Sequence, residues 1–217
     1  MLSTFSRIIA AHLAVLALVI ATPLAAHPHV WVSVETTVVY DNGRISGFQN
    51  RWTFDDAYTS MAIEGLDTNN DGKYDRKELT ELAQVNIDGL KEFDYFTYAK
   101  LNDEALALGA PRDYWLEHKD GILSLHFFLP LAEPVLASAP GFNFQVFDPT
   151  YFIAFDLAEK DPIKLAAGAP SGCQVDVGVP KADTAEAEKL GEAFFQQFGG
   201  DIGISLAKTV SIKCSNS

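Results

Sequence analysis

Cysteine, methionine and tryptophan are scarce in this 217-residue chain, which carries two, two and three of them. The two cysteines, Cys173 and Cys214, have no CxxC spacing, and in an exported protein an even count reads first as one disulfide. Closing a loop of ~40 residues would stabilise by roughly 4 kcal/mol in the chain-entropy model. Metal ligation by the two thiols is the alternative. Basic residues are few as well: 16 Lys and Arg stand against 29 Asp and Glu, a formal charge of −13. No basic stretch offsets that charge, so nucleic acid and anionic membrane are excluded as partners, whereas cations are favoured. There is no repeat, low-complexity tract, nucleophile elbow or zinc-protease helix, which argues against an enzyme.

Long apolar runs are absent too. The stretch from Ile8 to Ile20 is shorter than the ~20 residues a membrane span needs. With Arg7 ahead of it and Thr22-Pro23-Leu24-Ala25-Ala26 behind, residues 1–26 read as a secretory signal cut after Ala26. An uncleaved anchor is the alternative. The expected product is a single periplasmic or secreted domain over residues 27–217, not inserted in the membrane, since that length suffices for one well-packed core.

Oxygen donors are abundant, and twelve of the residues fall into a pattern. Asp67 to Glu78 read D-T-N-N-D-G-K-Y-D-R-K-E, which fills each acidic, amide and glycine position of an EF-hand calcium loop. Asp67, Asn69, Asp71, the Lys73 carbonyl, Asp75 through a water and bidentate Glu78 would supply the six to eight hard oxygens Ca²⁺ prefers, with Gly72 at the sharp turn. Tyr74 stands where paired loops carry a small aliphatic residue, and no second loop of this type occurs. A calcium staple between two helices is therefore expected rather than a switching sensor.

Around the loop the patterning alternates between periods. Val30, Val32, Val34, Thr36, Val38 and Tyr40 recur at strand spacing, and Asn42-Gly43 turns the chain into a second strand from Arg44 to Thr53. Thr53 and Asp56 resemble a capping box for a helix carrying Tyr58, Met61, Ala62 and Leu66. Leu79, Leu82, Ala83, Ile87 and Leu90 predict a second helix, so the helix-loop-helix is an insertion over about residues 54–91. Strands are expected at 95–101, 105–108, 113–119, 122–131 and 142–155, the last broken at Asp148-Pro149. A loop should follow over 158–172, then a C-terminal helix over 183–198 and a strand over 208–214. The class is α+β, an antiparallel β-sheet or sandwich carrying the EF-hand-like insertion and the C-terminal helix.

Of five histidines, His12 would leave with the signal, and cleavage would make His27 the amino terminus. Its amine and imidazole could chelate Cu²⁺, Zn²⁺ or Ni²⁺ together, with His29 joining only through its side chain because Pro28 has no amide hydrogen to lose. A two-residue hairpin at Asp120-Gly121 pairs Lys119 with Ile122, His118 with Leu123 and Trp115 with His126. That register gathers Leu116, Leu123, Leu125 and Phe127 on one face and sets His118 and His126 on opposite faces. A three-residue loop would put both on one face but mix polar with apolar side chains. Each histidine also has a plain structural role open to it: His126 hydrogen-bonded in the sheet, His118 exposed beside the turn, His29 starting a strand.

His27 to Val32, reading H-P-H-V-W-V after a signal, resembles an exported bacterial family labelled domain of unknown function 1007. The resemblance continues through Trp52-Thr53-Phe54-Asp55, the D-x-N-x-D-G loop with Glu78-Leu79, Tyr95-Phe96-Thr97 and Phe147-Asp148-Pro149-Thr150-Tyr151. Members are often labelled the periplasmic component of an uncharacterised transport system, and some accompany nickel or cobalt permeases. What the resemblance implies is metal traffic beside an inner-membrane metal permease. Three functions are therefore carried forward. One is a calcium-binding accessory protein that binds or delivers a divalent transition ion, and another is a calcium-stabilised structural or interaction module. The third is a copper oxidase built on an amino-terminal histidine brace.

Overall fold

The computed structural model describes residues 28–181 and 202–214. In chain order its elements are β1 (Val30–Asp41), β2 (Arg44–Phe54), α1 (Asp56–Ala62), α2 (Thr80–Lys91), β3 (Thr97–Leu101), β4 (Glu104–Ala105), β5 (Arg112–Lys119), β6 (Ile122–Leu136), β7 (Phe142–Val146), β8 (Ile153–Leu157), β9 (Ile163–Leu165), β10 (Cys173–Val177) and β11 (Val210–Cys214). Residues 202–206 form a further helical turn. No helix among the described residues is long and apolar enough to cross a membrane.

Two hairpins carry the larger sheet. Asn42 and Gly43 both take left-handed backbone (φ 48° and 74°), the conformation that lets a two-residue turn follow the twist of β1 and β2. Asp120 and Gly121 do the same between β5 and β6 (φ 53° and 81°), and the expected register holds, with Lys119 opposite Ile122 and His118 opposite Leu123. The sheet runs β5-β6-β2-β1-β8, and β9 continues along the β1 edge. A second sheet, β10-β11-β7-β3-β4, closes over it.

The alternation read from Val30 is realised: Val32, Val34, Thr36, Val38 and Tyr40 are buried while their neighbours on β1 are not. Phe48 on β2 meets Phe142 and Phe144 on β7 at ring-centroid distances of 6.4 and 4.7 Å, which locks the two sheets together. Trp52 lies edge-on to Phe127 and Phe155, both at 4.9 Å. Side chains of this size each contribute about 1.5–3 kcal/mol on burial. Leu79 at the N-cap of α2, with Ala83 and Ile87 on the helix, is buried in the same core, as their spacing predicts.

The β1–β2 pairing slips by one residue, from Gly47 opposite Val39 to Ile45 opposite Tyr40, and at the same place the β2–β6 register jumps from Pro130 opposite Gly47 to Val135 opposite Ile45. There Gly47, at φ 157°, passes opposite Pro130, whose missing amide interrupts the ladder of β6. A Cβ on Gly47 would stand 2.4 Å from the Leu129 carbonyl oxygen and 2.7 Å from the Pro130 Cα.

Several expectations are corrected. Thr53 does not cap α1, because it is paired inside β2 and shares a hydrogen bond of 3.0 Å with Ser124. Asp55 is the cap instead: Tyr58 donates its amide to one carboxylate oxygen (2.8 Å) and Trp31 to the other (2.7 Å). The helix is only seven residues long, and it buries Thr59 rather than Met61, which is 67% exposed. Residues 95 and 96 form a turn with positive φ before β3 begins. The expected broken strand over 142–155 is two strands in opposite sheets, reversed at buried Asp148, whose carboxylate accepts from the Thr150 amide and hydroxyl and the Ile153 amide. The loop over 158–172 hides β9, and β8 and β9 run parallel to β1 rather than antiparallel. β10, not expected as a strand, pairs with β11 so that Cys173 faces Cys214, and the two form the expected disulfide. The expected signal, His27 and the expected C-terminal helix over 183–198 lie outside the described residues.

Gly47→Ala should cost about 3 kcal/mol or more, the sum of backbone strain and overpacking against β6. Gly43→Ala, whose Cβ would meet nothing within 4 Å, should cost about 1 kcal/mol. Urea unfolding of both variants measures the difference, and equal losses would rule out the bulge as the cause.

Candidate metal centre

Between the end of α1 and buried Leu79, the acidic loop is folded on its own backbone. Asp67 accepts from the amides of Asp71 (3.1 Å) and Gly72 (2.9 Å), and Asn69 also accepts from Asp71 (2.8 Å). Asp71 accepts from the Lys73 amide (2.8 Å), and Asp75 from Lys77 (2.7 Å) and Glu78 (3.0 Å). Gly72 takes φ 76°, the left-handed turn expected of it. Glu78 ties the two ends together. One of its oxygens accepts from the Thr68 amide and hydroxyl, each at 2.9 Å, and the other from the Asp75 amide at 3.1 Å. The Asp75 amide, followed by the Thr68 hydroxyl, holds the Glu78 carboxyl below the usual glutamate range.

The carboxylates of Asp67, Asp71, Asp75 and Glu78 are not drawn to one point. Among the described residues no group of three or more His, Cys, Asp or Glu side chains is gathered closely enough to hold a metal ion. Four carboxylates on one exposed loop repel one another, and each is turned onto a loop amide.

The three described histidines lie in three separate places. His29 donates its amide to the Phe152 carbonyl (2.9 Å) and stacks on the Phe152 ring at 4.5 Å. His118 meets Tyr74 of the acidic loop edge-on at 4.8 Å, so it is packed rather than merely exposed beside its turn. His126 lies parallel to the Trp115 indole at 4.1 Å, with Nε2 3.4 Å from Glu117, too long for a good hydrogen bond. His118 and His126 face opposite ways, as the hairpin register requires.

One polar constellation was not anticipated. On the outer face of the larger sheet Arg51 pairs with Glu35 at 2.9 Å and reaches Glu117 at 3.8 Å, next to His126. Arg76, from the acidic loop, sets its guanidinium carbon 4.4 Å above Trp115. A cleft of about 150 Å³ is lined by Glu35, Arg51, His126, Asp161 and Lys164. The Arg51 Nε and His126 Nε2 have no hydrogen-bond partner among the described residues. Glu117, Ser124 and His126 could be put on this face from hairpin parity, but Arg51 could not. A strict Asn42-Gly43 hairpin sets it opposite Val34, on the inner face.

A family model described as "Protein of unknown function (DUF1007)" matches residues 12–214. An uncharacterized protein of Haemophilus influenzae (strain ATCC 51907 / DSM 11121 / KW20 / Rd) is 27% identical over 202 residues, covering 92% of this chain and 96% of that protein. An uncharacterized 15.5 kDa protein in the trpE 3′ region of Spirochaeta aurantia is 31% identical over 99 residues, 46% of this chain and 70% of that protein.

Burial holds the His126 imidazole below its usual range, while contact with Glu117 pulls the other way. Its folded-state pKa is depressed, so the unfolded chain takes up the proton first as pH falls. The contribution is complete above the unfolded value of about 6.5 and is lost on acidification. His126→Gln should therefore flatten the fall in Tm between about pH 7.5 and pH 5. A profile as steep as that of the parent would show that other groups set it.

Proposed function

We propose that this chain, which belongs to the DUF1007 family, is an exported calcium-binding accessory protein whose ion sits in the loop from Asp67 to Glu78. The observation that carries the reading is Glu78. Its carboxylate spans the loop from Thr68 to Asp75 immediately before buried Leu79, so a ligand for both its oxygens is also a brace between the loop and α2. The donors are hard oxygens of the type Ca²⁺ selects over Zn²⁺, Ni²⁺ or Cu²⁺. On binding, Glu78 would exchange Thr68 and Asp75 for the cation. The Cys173–Cys214 disulfide supports an oxidising compartment.

A second reading adds a transition ion at the amino terminus, for delivery to an inner-membrane metal permease. It is favoured by the anchoring of the segment: Pro28 is buried and the His29 amide is bonded to Phe152, so the chain is held one residue after His27. His29, His118 and His126 are not gathered into one group among the described residues, so this reading rests on His27 and His29. Equilibrium dialysis of the protein beginning at His27 against Cu²⁺, Zn²⁺ and Ni²⁺ should give stoichiometric binding that disappears when one residue is left ahead of His27. Binding of none of the three, with calcium still bound, removes the transition-ion role and leaves a structural module.

Calcium at about a hundred times its Kd should raise Tm by about 5–10 °C, and Glu78→Gln should lose most of that rise. Because Arg76 rests on Trp115, calcium should also change the indole emission, and Trp115→Phe should abolish the change. A parent protein whose Tm ignores calcium, or a Glu78→Gln variant that responds in full, overturns the assignment.

A further inference from the structure

The helix α2 is apolar on two sides. Leu79, Ala83 and Ile87 face the core, but Leu82, Val85 and Gly89, followed by Phe93 just past the helix end, form a second stripe at helical spacing. This stripe is one wall of a groove of about 490 Å³ whose other walls are Tyr58 of α1 and the segment from Asp148 to Ile153. Val85 is 66% exposed and Phe93 50% exposed. The groove is rigid rather than a loose surface: Phe93 lies parallel to buried Phe96 at 5.1 Å, and the Tyr58 hydroxyl donates to Asn86 at 2.9 Å. A contiguous exposed apolar surface of this kind marks a binding site more often than chance.

We propose that this groove docks an amphipathic, cationic helix of a partner protein. Gly89 gives the first argument. A Cβ there would meet nothing within 4 Å, so no internal packing requires glycine, although a mid-helix glycine weakens α2. Its bareness is useful to a backbone that approaches from outside. Charge gives the second argument. Exposed Glu81, Asp88, Glu92 and Asp94 border the stripe, with Lys91 the single cation among them. An apolar helix flanked by lysine or arginine fits that rim, while an anionic lipid surface is repelled by it. Secondary structure gives the third. The stripe on α2 offers side chains and no strand edge, and the groove meets the edge strand β8 only at its first residue, Ile153, so an extended peptide along the stripe would leave its own amides unpaired, and a helix would not.

The test uses the full chain from His27 to Ser217 and a fluorescent 16-residue synthetic peptide of leucine and lysine at helical spacing. The helical peptide should bind at least about tenfold more tightly than a scrambled peptide of equal charge. Val85→Asn with Phe93→Asn, which leaves the charge unchanged, should weaken binding about tenfold or more, and so should Gly89→Gln, at an exposed position where the fold is kept. Asp88→Lys with Glu92→Lys should weaken it similarly. Equal binding of the scrambled peptide, or no effect of the Val85 and Phe93 changes, overturns the proposal. So does Val85-dependent capture by phosphatidylcholine vesicles, or Val85-dependent self-association in sedimentation, without peptide binding.

Discussion

The pairing of β1 with β2 slips once, at Val39 and Tyr40 on one strand and around Ser46 and Gly47 on the other, and the faces of the larger sheet follow from that slip. Beyond it, Trp52 stands opposite Val34 in the core and Arg51 opposite Glu35 on the outer face. Without it the two would change places, since a shift of one residue sends each side chain to the other side. A guanidinium would then enter a core that holds Phe127 and Phe144, and the indole would lie in water. Desolvating an unpaired charge costs several kcal/mol, so the slip is enforced by the whole sandwich rather than by the turn. Gly47 makes it sterically feasible, and Pro130 on β6 leaves the local ladder without a donor to lose.

The same face joins the acidic loop to the sheet. Arg51, Glu35, Glu117 and His126 lie side by side, His126 stacks on Trp115, and Arg76 reaches from the loop onto the same indole. Tyr74 meets His118 on the strand that carries Trp115. A change in the loop is thus felt first in the β5–β6 hairpin. The tie runs through ring stacking and a cation over an aromatic, contacts worth about 0.5–2 kcal/mol each. They orient the loop without freezing it.

What could be read in the sequence was whatever depends on local periodicity and turn chemistry. Both hairpin turns, the inward face of β1, the buried stripe of α2 and the register of His118 and His126 were legible because Asn-Gly, Asp-Gly and alternation act within a few residues. The bulge at Gly47 was not, since it answers to Pro130, far along the chain. Neither was the parallel pairing of β8 and β9 with β1, which is a matter of topology; the short β9 lay inside a stretch that reads as loop. Thr53 imitated a cap because Thr-x-x-Asp is a local pattern, but Ser33 and Ser124 on both sides hold it in the sheet. For the candidate site, the loop residues were legible as a motif and the histidines as isolated positions. The cluster around Arg51 was hidden behind the bulge.

The short helix α1 shows how a lone loop can be held. Seven residues are too few for a helix to stand by itself in water, so its position comes from tertiary ties. Asp55 binds it to β1 through the Trp31 amide, Thr59 accepts the Leu123 amide of β6, and Tyr58 both stacks on Phe54 and donates to Asn86 of α2. These contacts set the entry and exit of the loop from outside it. Within the loop, Tyr74 has the imidazole of His118 on a sheet strand as its neighbour. An aromatic ring reaches the sheet where a small aliphatic side chain would fall short. The hairpin of β5 and β6 therefore braces the acidic loop from outside it.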